Sequence, residues 1–471
     1  MSYISRFILC TGLLSGVLFS GGCRKGDFRE VQFLPEDTAL VDAMLILHCN
    51  DMQTKAETRE EQEKQINDLN LFFVHQFYPS VENPEVRHYY FSSVDMAKHI
   101  KLANIRLGKY RLYAVANAGQ KLCSDSHDPL QPDAVGESFC SLTEEEIKNL
   151  DVRFSQSPTS ATKLLMVGEN PETEIKRADE ILPTVQINLV RKVAKYDFSY
   201  RLVGPAVGKM KVKKIEVKSV PSRLSAFQAN RLSGTSYNSW TILNAGNNGQ
   251  LYDEQPYETC FYLPENMQGD VPGLQQEDRH VKNAPEYSTY LYIDGEYENS
   301  QYGISLYMGD DMTGGNFDIP GNAHYLLNIE QGGPNLSDAR ISSMKLEIHS
   351  EGPYETFVNE WIDLLVKITC TNYFNDNLTL NCNIANPNIG EAGGEFEVYL
   401  SDSSGRQDEP INNIGNFRYN ILSTGDDGKG EIWCLVKYRQ ANPWGQVRIS
   451  LTIQSRLGTA YFEDQVYDFK N

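Results

Sequence analysis

The chain reads as an all-β protein with a few short helices. Three observations predict this: 26 Tyr and 20 Phe among 471 residues, many short alternations of Val, Ile and Tyr with polar residues, and no long stretch with apolar residues at helical spacing. The length exceeds what one core organises, so two to four domains are expected, and 40% hydrophobic residues suffice to fill them. Lys and Arg total 43 against 63 Asp and Glu, a formal net charge of -20. That balance repels phosphate backbones and anionic lipid surfaces, and no nucleic-acid partner is expected.

The amino terminus sets the compartment. Arg6 precedes an apolar run of 13 residues, Phe7 to Phe19, which is short for a bilayer span and predicts a cleavable signal over 1–22. Ser20-Gly21-Gly22-Cys23 then resembles a bacterial lipobox with Cys23 as the lipidated first residue. An ordinary small-residue cleavage site beside an incidental cysteine is the other reading. The polar RKGDFRE segment that follows favours the lipobox, since it would serve as a tether. Ser20 departs from the pattern, standing where Leu or Val is commonest.

Residues 43–49 (AMLILHC) form a short apolar strand set apart by 50–67, a charged stretch expected to be a solvated linker or frayed helix. Residues 23–67 are thus tether, first strand and linker. Leu69 to Val74 opens the first domain, 108–117 (GKYRLYAVAN) is a period-two strand that turns at Ala118-Gly119, and Thr143-Glu144-Glu145-Glu146 is a capping box starting a helix toward Leu150. A second block starts near Pro183 with Val185, Ile187 and Leu189 alternating. The strand at 211–218 places Val212 and Lys214 opposite Ile215 and Val217, and its lysines read as a solvated face rather than an anion site. Paired strands follow at 290–293 and 303–307, then at 325–329 and 344–348. Ser350 to Pro353 looks like a linker, and the strands at 362–369, 378–384, 395–400, 430–436 and 446–453 predict a further β-sandwich over 352–471.

Enzyme signatures are missing. The eight histidines are scattered, and no G-x-S-x-G, G-x-x-x-x-G-K-[ST] or strand-linked G-x-G-x-x-G occurs, so neither catalysis, metal nor cofactor is expected. Apart from Cys10 and Cys23 there are seven cysteines; Cys123 with Cys140 and Cys370 with Cys382 could close loops, or remain buried thiols. The loops at 309–314 and 425–428 read as hairpin turns rather than Ca²⁺ sites. Trp433, Tyr438 and Trp444 are candidate glycan-contact aromatics, with a sandwich core as their other natural place.

Taken in order, the lipobox at Cys23, GKYRLYAVAN at 108–117, LVRKVAK at 189–195, FYLPEN at 261–266 and NFDIPGNAHY at 316–325 resemble the fimbrillin-type subunits of Bacteroidetes type V pili. The resemblance covers about three quarters of the chain. It implies tandem transthyretin-like β-sandwich domains, at 68–182 and 183–350, in a lipoprotein of the outer membrane or fimbrium. It further implies assembly by strand exchange with other fimbrial subunits: a protease cuts after an arginine, here Arg59, the strand at 43–49 leaves, and a neighbour's strand fills the groove. The block at 352–471 departs from a stalk subunit, whose carboxyl-terminal end donates a strand. It suggests a tip or accessory subunit with an adhesive face toward a host or microbial glycan or protein. The alternatives are a membrane-retained fimbrial anchor and a surface glycan-binding lipoprotein.

Overall fold

The computed structural model describes residues 40–470 except 51–52, 55–61, 77–85, 95–99, 124, 127–136, 155–158, 177–181, 235–236, 247, 253–254, 299, 312–313, 334, 350–354, 386–393, 441–444, 456–458 and 462–464. The all-β prediction is met: the described residues form sheets with one short α-helix. Strands Leu40–Cys49 (β1), Leu69–His75 (β2), Val86–Phe91 (β3), Ile100–Arg106 (β4), Gly108–Ala116 (β5), Met166–Ile175 (β6) and Thr184–Arg191 (β7) run in the order β4-β1-β7-β6-β5-β2-β3, and Glu137–Cys140 and Asp125–Ser126 complete a nine-stranded sheet. Strands β6 and β7 share two residue pairs, and there the sheet turns. Leu45, Leu102 and Ile187 on one side pack with Leu71, Phe73 and Leu112 on the other.

This arrangement corrects the boundary near Pro183. Val185, Ile187 and Leu189 belong to the first core because β7 pairs in parallel with β1, Met44 to Cys49 against Thr184 to Leu189. A pairing partner well over a hundred positions away leaves no local trace. The expected helix forms at Glu144–Lys148 (α1) with its capping box intact: the Glu146 amide donates to Thr143 Oγ1 at 3.2 Å, and the Thr143 amide donates to Glu146 Oε2 at 2.8 Å. Cys123 and Cys140 form a disulfide. Cys370 and Cys382 stay buried thiols, and burial pushes the Cys370 pKa up to about 11.

The second block contributes Val193–Leu202 (β8), Met210–Pro221 (β9), Tyr237–Asn244 (β10), Tyr257–Pro264 (β11), Tyr290–Tyr297 (β12), Ser300–Tyr307 (β13), Ala323–Gln331 (β14) and Ile341–Ile348 (β15). The third contributes Trp361–Thr371 (β16), Asn377–Ala385 (β17), Gly394–Ser401 (β18), Arg418–Ser423 (β19), Gly430–Gln440 (β20), Gly445–Gln454 (β21) and Gln465–Lys470 (β22). One sheet runs β11-β8-β14 with Gln53–Thr54 at its edge, and another holds β22, β21, β17 and β19. Between them lies a nine-stranded sheet, β10-β9-β12-β13-β15-β16-β20-β18 and Gln407–Ile411. The linker expected at 350–353 lies outside the described residues; the blocks on either side of it share one sheet, because β15 pairs with β16 from Ser343–Thr371 to Ile348–Val366.

Period-two alternation lets this shared sheet serve two cores. Leu291, Ile293 and Ile341 enter the second core with Tyr196 and Phe261, while Tyr292, Met344 and Leu346 enter the third with Leu380 and Ile449. Strands β14 and β15, read as a pair, have other partners: β14 runs parallel to β8, and β15 antiparallel to β13. A register shift between Val212 and Lys214 turns Val212 into the same core as Ile215 and Val217. Of the lysines in this run Lys211 is solvated as expected, while the others are paired: Lys213, buried, lies 2.8 Å from Glu296, and the partly exposed Lys214 and Lys218 flank Glu216.

Gly303 is needed within the shared sheet, since a Cβ there would collide with Tyr292 Oη and lie 2.7 Å from Ser342 Oγ. Gly303→Ala is expected to cost about 1–3 kcal/mol by overpacking, read as a lower denaturant midpoint. An unchanged midpoint would contradict the close approach.

Candidate functional site

The site is built around β1 and the chain that follows it. β1 lies between two strands, antiparallel to β4 from Leu40–Arg106 to Leu45–Ile100 and parallel to β7. Ala43 and Leu45 are buried at 0% and 1% exposure, and Val41, Leu47 and Cys49 pack on the same core. Five alternate side chains thus fill one groove, and the backbone satisfies an edge on either side. Without β1, both flanking edges and the apolar floor would lie open.

Of the stretch 50–67, expected to be a solvated linker or frayed helix, 51–52 and 55–61 lie outside the described residues, and the described end departs from that expectation. The turn Gln62–Lys64 buries Glu63 at 4% exposure and leads to Ile66 at 2%. Lys195 Nζ lies 2.7 Å from Glu63 Oε1, and the Tyr262 hydroxyl donates to the same oxygen at 2.8 Å. The guanidinium of Arg191, 2% exposed, donates to the carbonyls of Asn50 (2.7 Å) and Glu63 (3.1 Å) and to Asn322 Oδ1 (3.3 Å). One side chain thus holds the chain where it leaves β1 and where it returns. Asn117, at φ 62°, donates to the carbonyls of Gln65 and Leu164 and accepts from the Asn67 amide.

These grips explain the motifs. GKYRLYAVAN supplies Asn117, LVRKVAK supplies Arg191 and Lys195, FYLPEN supplies Tyr262, and NFDIPGNAHY supplies Asn322. Lys192 is paired with Glu265 at 2.6 Å, and His324 Nε2 with Asp197 Oδ2 at 2.7 Å, close by. Gly321 admits the Arg191 backbone, whose carbonyl oxygen would lie 2.6 Å from a Cβ there. Burial pushes the Cys260 thiol up to about 12, so it is held neutral beside the clamp. A cleft of about 930 Å³ opens alongside, lined by Glu63, Lys195, Asp197, Tyr262 and Leu326.

The sequence-derived candidates fall elsewhere. Cys23, Arg59 and Trp444 lie outside the described residues. Tyr438 is fully buried in the third core, its hydroxyl bonded to Gln440, so it is a core residue rather than a glycan contact. Trp433 sits partly exposed on the opposite face, its ring 4.9 Å from His349 and 5.4 Å from Lys367 Nζ. Within the loop at 309–314 residues 312–313 lie outside the described residues; around it Arg279 donates to the carbonyls of Tyr307, Asp311, Gly314 and Asn316, and the strands on either side do not pair as a hairpin, since Asn316–Ile319 pairs with Asn266–Asp270. Among the described residues no group of three or more His, Cys, Asp or Glu is placed to hold a metal. Glu63 escapes sequence reasoning, since a glutamate in a charged run carries no sign of burial.

Residues 261–329 match a family model described as a domain of unknown function (DUF4906), the stretch that holds Tyr262, Glu265, Asn322 and His324. No curated protein matches the chain. Among solved structures, the chain is similar to a candidate cell-adhesion protein from Bacteroides eggerthii at 13% identity, over 62% of this chain and 88% of that one, with a TM-score of 0.38. Another is a candidate adhesin from Bacteroides ovatus, at 9% identity over 68% and 100% with a TM-score of 0.32. A third is the fimbrial anchor protein Mfa2 from Porphyromonas gingivalis, at 11% identity over 54% and 75% with a TM-score of 0.29. At these values function has to be argued from the residues.

Truncating Glu63→Ala leaves Lys195 charged and buried, which is expected to cost about 3–5 kcal/mol. Adding Lys195→Met should recover most of the loss. Additive destabilisation in the double variant would contradict the buried pair.

Proposed function

We propose that the chain is a non-enzymatic structural and adhesive subunit of a cell-surface fimbria, in a tip or accessory position, exported as an outer-membrane lipoprotein through Cys23. In this reading a protease cuts after Arg59, β1 is released, and a strand from another subunit fills the groove between β4 and β7. The observation that carries it is the place of β1: an interior strand, filling its core with alternate side chains, joined to the rest of the fold through a linker rather than a hairpin. Such a strand can be replaced by another of the same pattern without rebuilding the domain.

Two features support a position that receives a strand without donating one. Strand β22 is paired on both sides, with β21 and with Glu355–Phe357. The third block is continuous with the second through the shared sheet, which favours a rigidly presented outer domain. A membrane-retained anchor is the second reading, and the clamp favours it, because Arg191 and Lys195 would hold β1 and its linker in place.

Mass spectrometry of the amino terminus of protein recovered from the cell surface separates the two. A terminus at Glu60, lost in Arg59→Ala, is expected for a polymerising subunit. A lipidated terminus at Cys23 with β1 retained would sink that route and leave the anchor or a glycan-binding lipoprotein.

A further inference from the structure

We infer that a tyrosine-lined cleft on the second block binds a neutral saccharide. The cleft, about 440 Å³, lies on the face of the shared sheet turned away from the second core. Its floor is set by strand register: Lys218 of β9 is the partner of Tyr290 of β12, which is the partner of Tyr307 of β13. Tyr237 and Ser239 of β10 border it, and the segment 281–287, ending in Tyr287, forms the wall. That wall is built into the fold. Asn266 Nδ2 donates to the Tyr287 carbonyl at 3.0 Å, Lys282 Nζ to the Asp426 carbonyl at 3.1 Å, and His280 stacks on Phe374 at 5.6 Å.

Three properties select the ligand class. Four tyrosines meet at one cleft: Tyr307, buried at 5% exposure, and Tyr290 pack with ring centroids 5.0 Å apart as its floor, while Tyr237, 48% exposed, and half-buried Tyr287 offer aromatic surface to the C–H faces of a ring. The one lysine on the floor is already bonded to Glu216 at 2.7 Å, which removes the case for an anion. The remaining polar groups include the exposed Glu286 carboxyl, which accepts from sugar hydroxyls, and tyrosine and serine hydroxyls, which both donate and accept, as sugar hydroxyls do. A proline-rich segment also fits aromatic-lined grooves, but its backbone would leave the accepting half of those hydroxyls unused. The volume falls within the range of about 300–1,000 Å³ for small-ligand sites.

The site goes beyond the fimbrial reading and is independent of it: recognition is placed on the second block, apart from Trp433 and from the β1 groove. The test is titration of the full chain with a panel of neutral gluco-, manno-, galacto- and xylo-oligosaccharides, then of Tyr237→Ala and Tyr287→Ala with the best binder. At least one panel member is expected to bind, with affinity falling at least tenfold in both variants at an unchanged unfolding midpoint. Tyr290→Phe, which keeps the ring, should lose less. No binding across the panel at millimolar concentration, binding indifferent to both alanine variants, or binding only of an acidic glycan or a proline-rich peptide would overturn the proposal.

Discussion

The guanidinium of Arg191 is the constraint on which the amino-terminal half depends. Burying that charge is costly unless its donors are met, and here they meet the carbonyls of Asn50 and Glu63 and the side chain of Asn322. The exit from β1, the return of the linker and the second block are thereby tied at one point. Lys195 and Tyr262 add to the grip by holding the Glu63 carboxylate. Since β1 makes its own contacts along the groove, the clamp decides not whether the strand fits but how firmly the chain around it is held. A cut within the linker would separate these two functions.

The shared nine-stranded sheet plays the corresponding part in the other half. Because its strands send alternate residues into two cores, the third block is not a bead on a flexible tether. Whatever surface it presents keeps its orientation to the second block, and the segment 281–287 gains a second support through Lys282 and Phe374.

Much of this was legible in residues taken in sequence order. Alternation located strands in each of the three blocks, β5, β9 and β16 among them, though not β3, β4, β6, β10, β19 or β22, and Thr143 with Glu146 located α1, because both signals are local. What escaped was non-local. The pairing of β7 with β1, of β15 with β16 and of β14 with β8 spans segments whose composition says only that they are strands. The Val212–Lys214 shift reversed a face that simple alternation had assigned, and of the two places open to Tyr438, glycan contact or sandwich core, it takes the core. The motifs were visible as strings, yet their common purpose was not: Asn117, Arg191, Lys195, Tyr262 and Asn322 converge on a linker whose charged composition pointed to solvent.

The central claim is that β1 is a replaceable filling of a groove between β4 and β7. The most direct measurement prepares the chain beginning at Glu60 and titrates it with a synthetic peptide of residues 40–49, following thermal stability and bound mass. The expected result is a destabilised protein that binds the peptide stoichiometrically and recovers its midpoint, whereas a peptide carrying Leu45→Asp does neither. A truncated chain as stable as the intact one, with no affinity for the peptide, would contradict it.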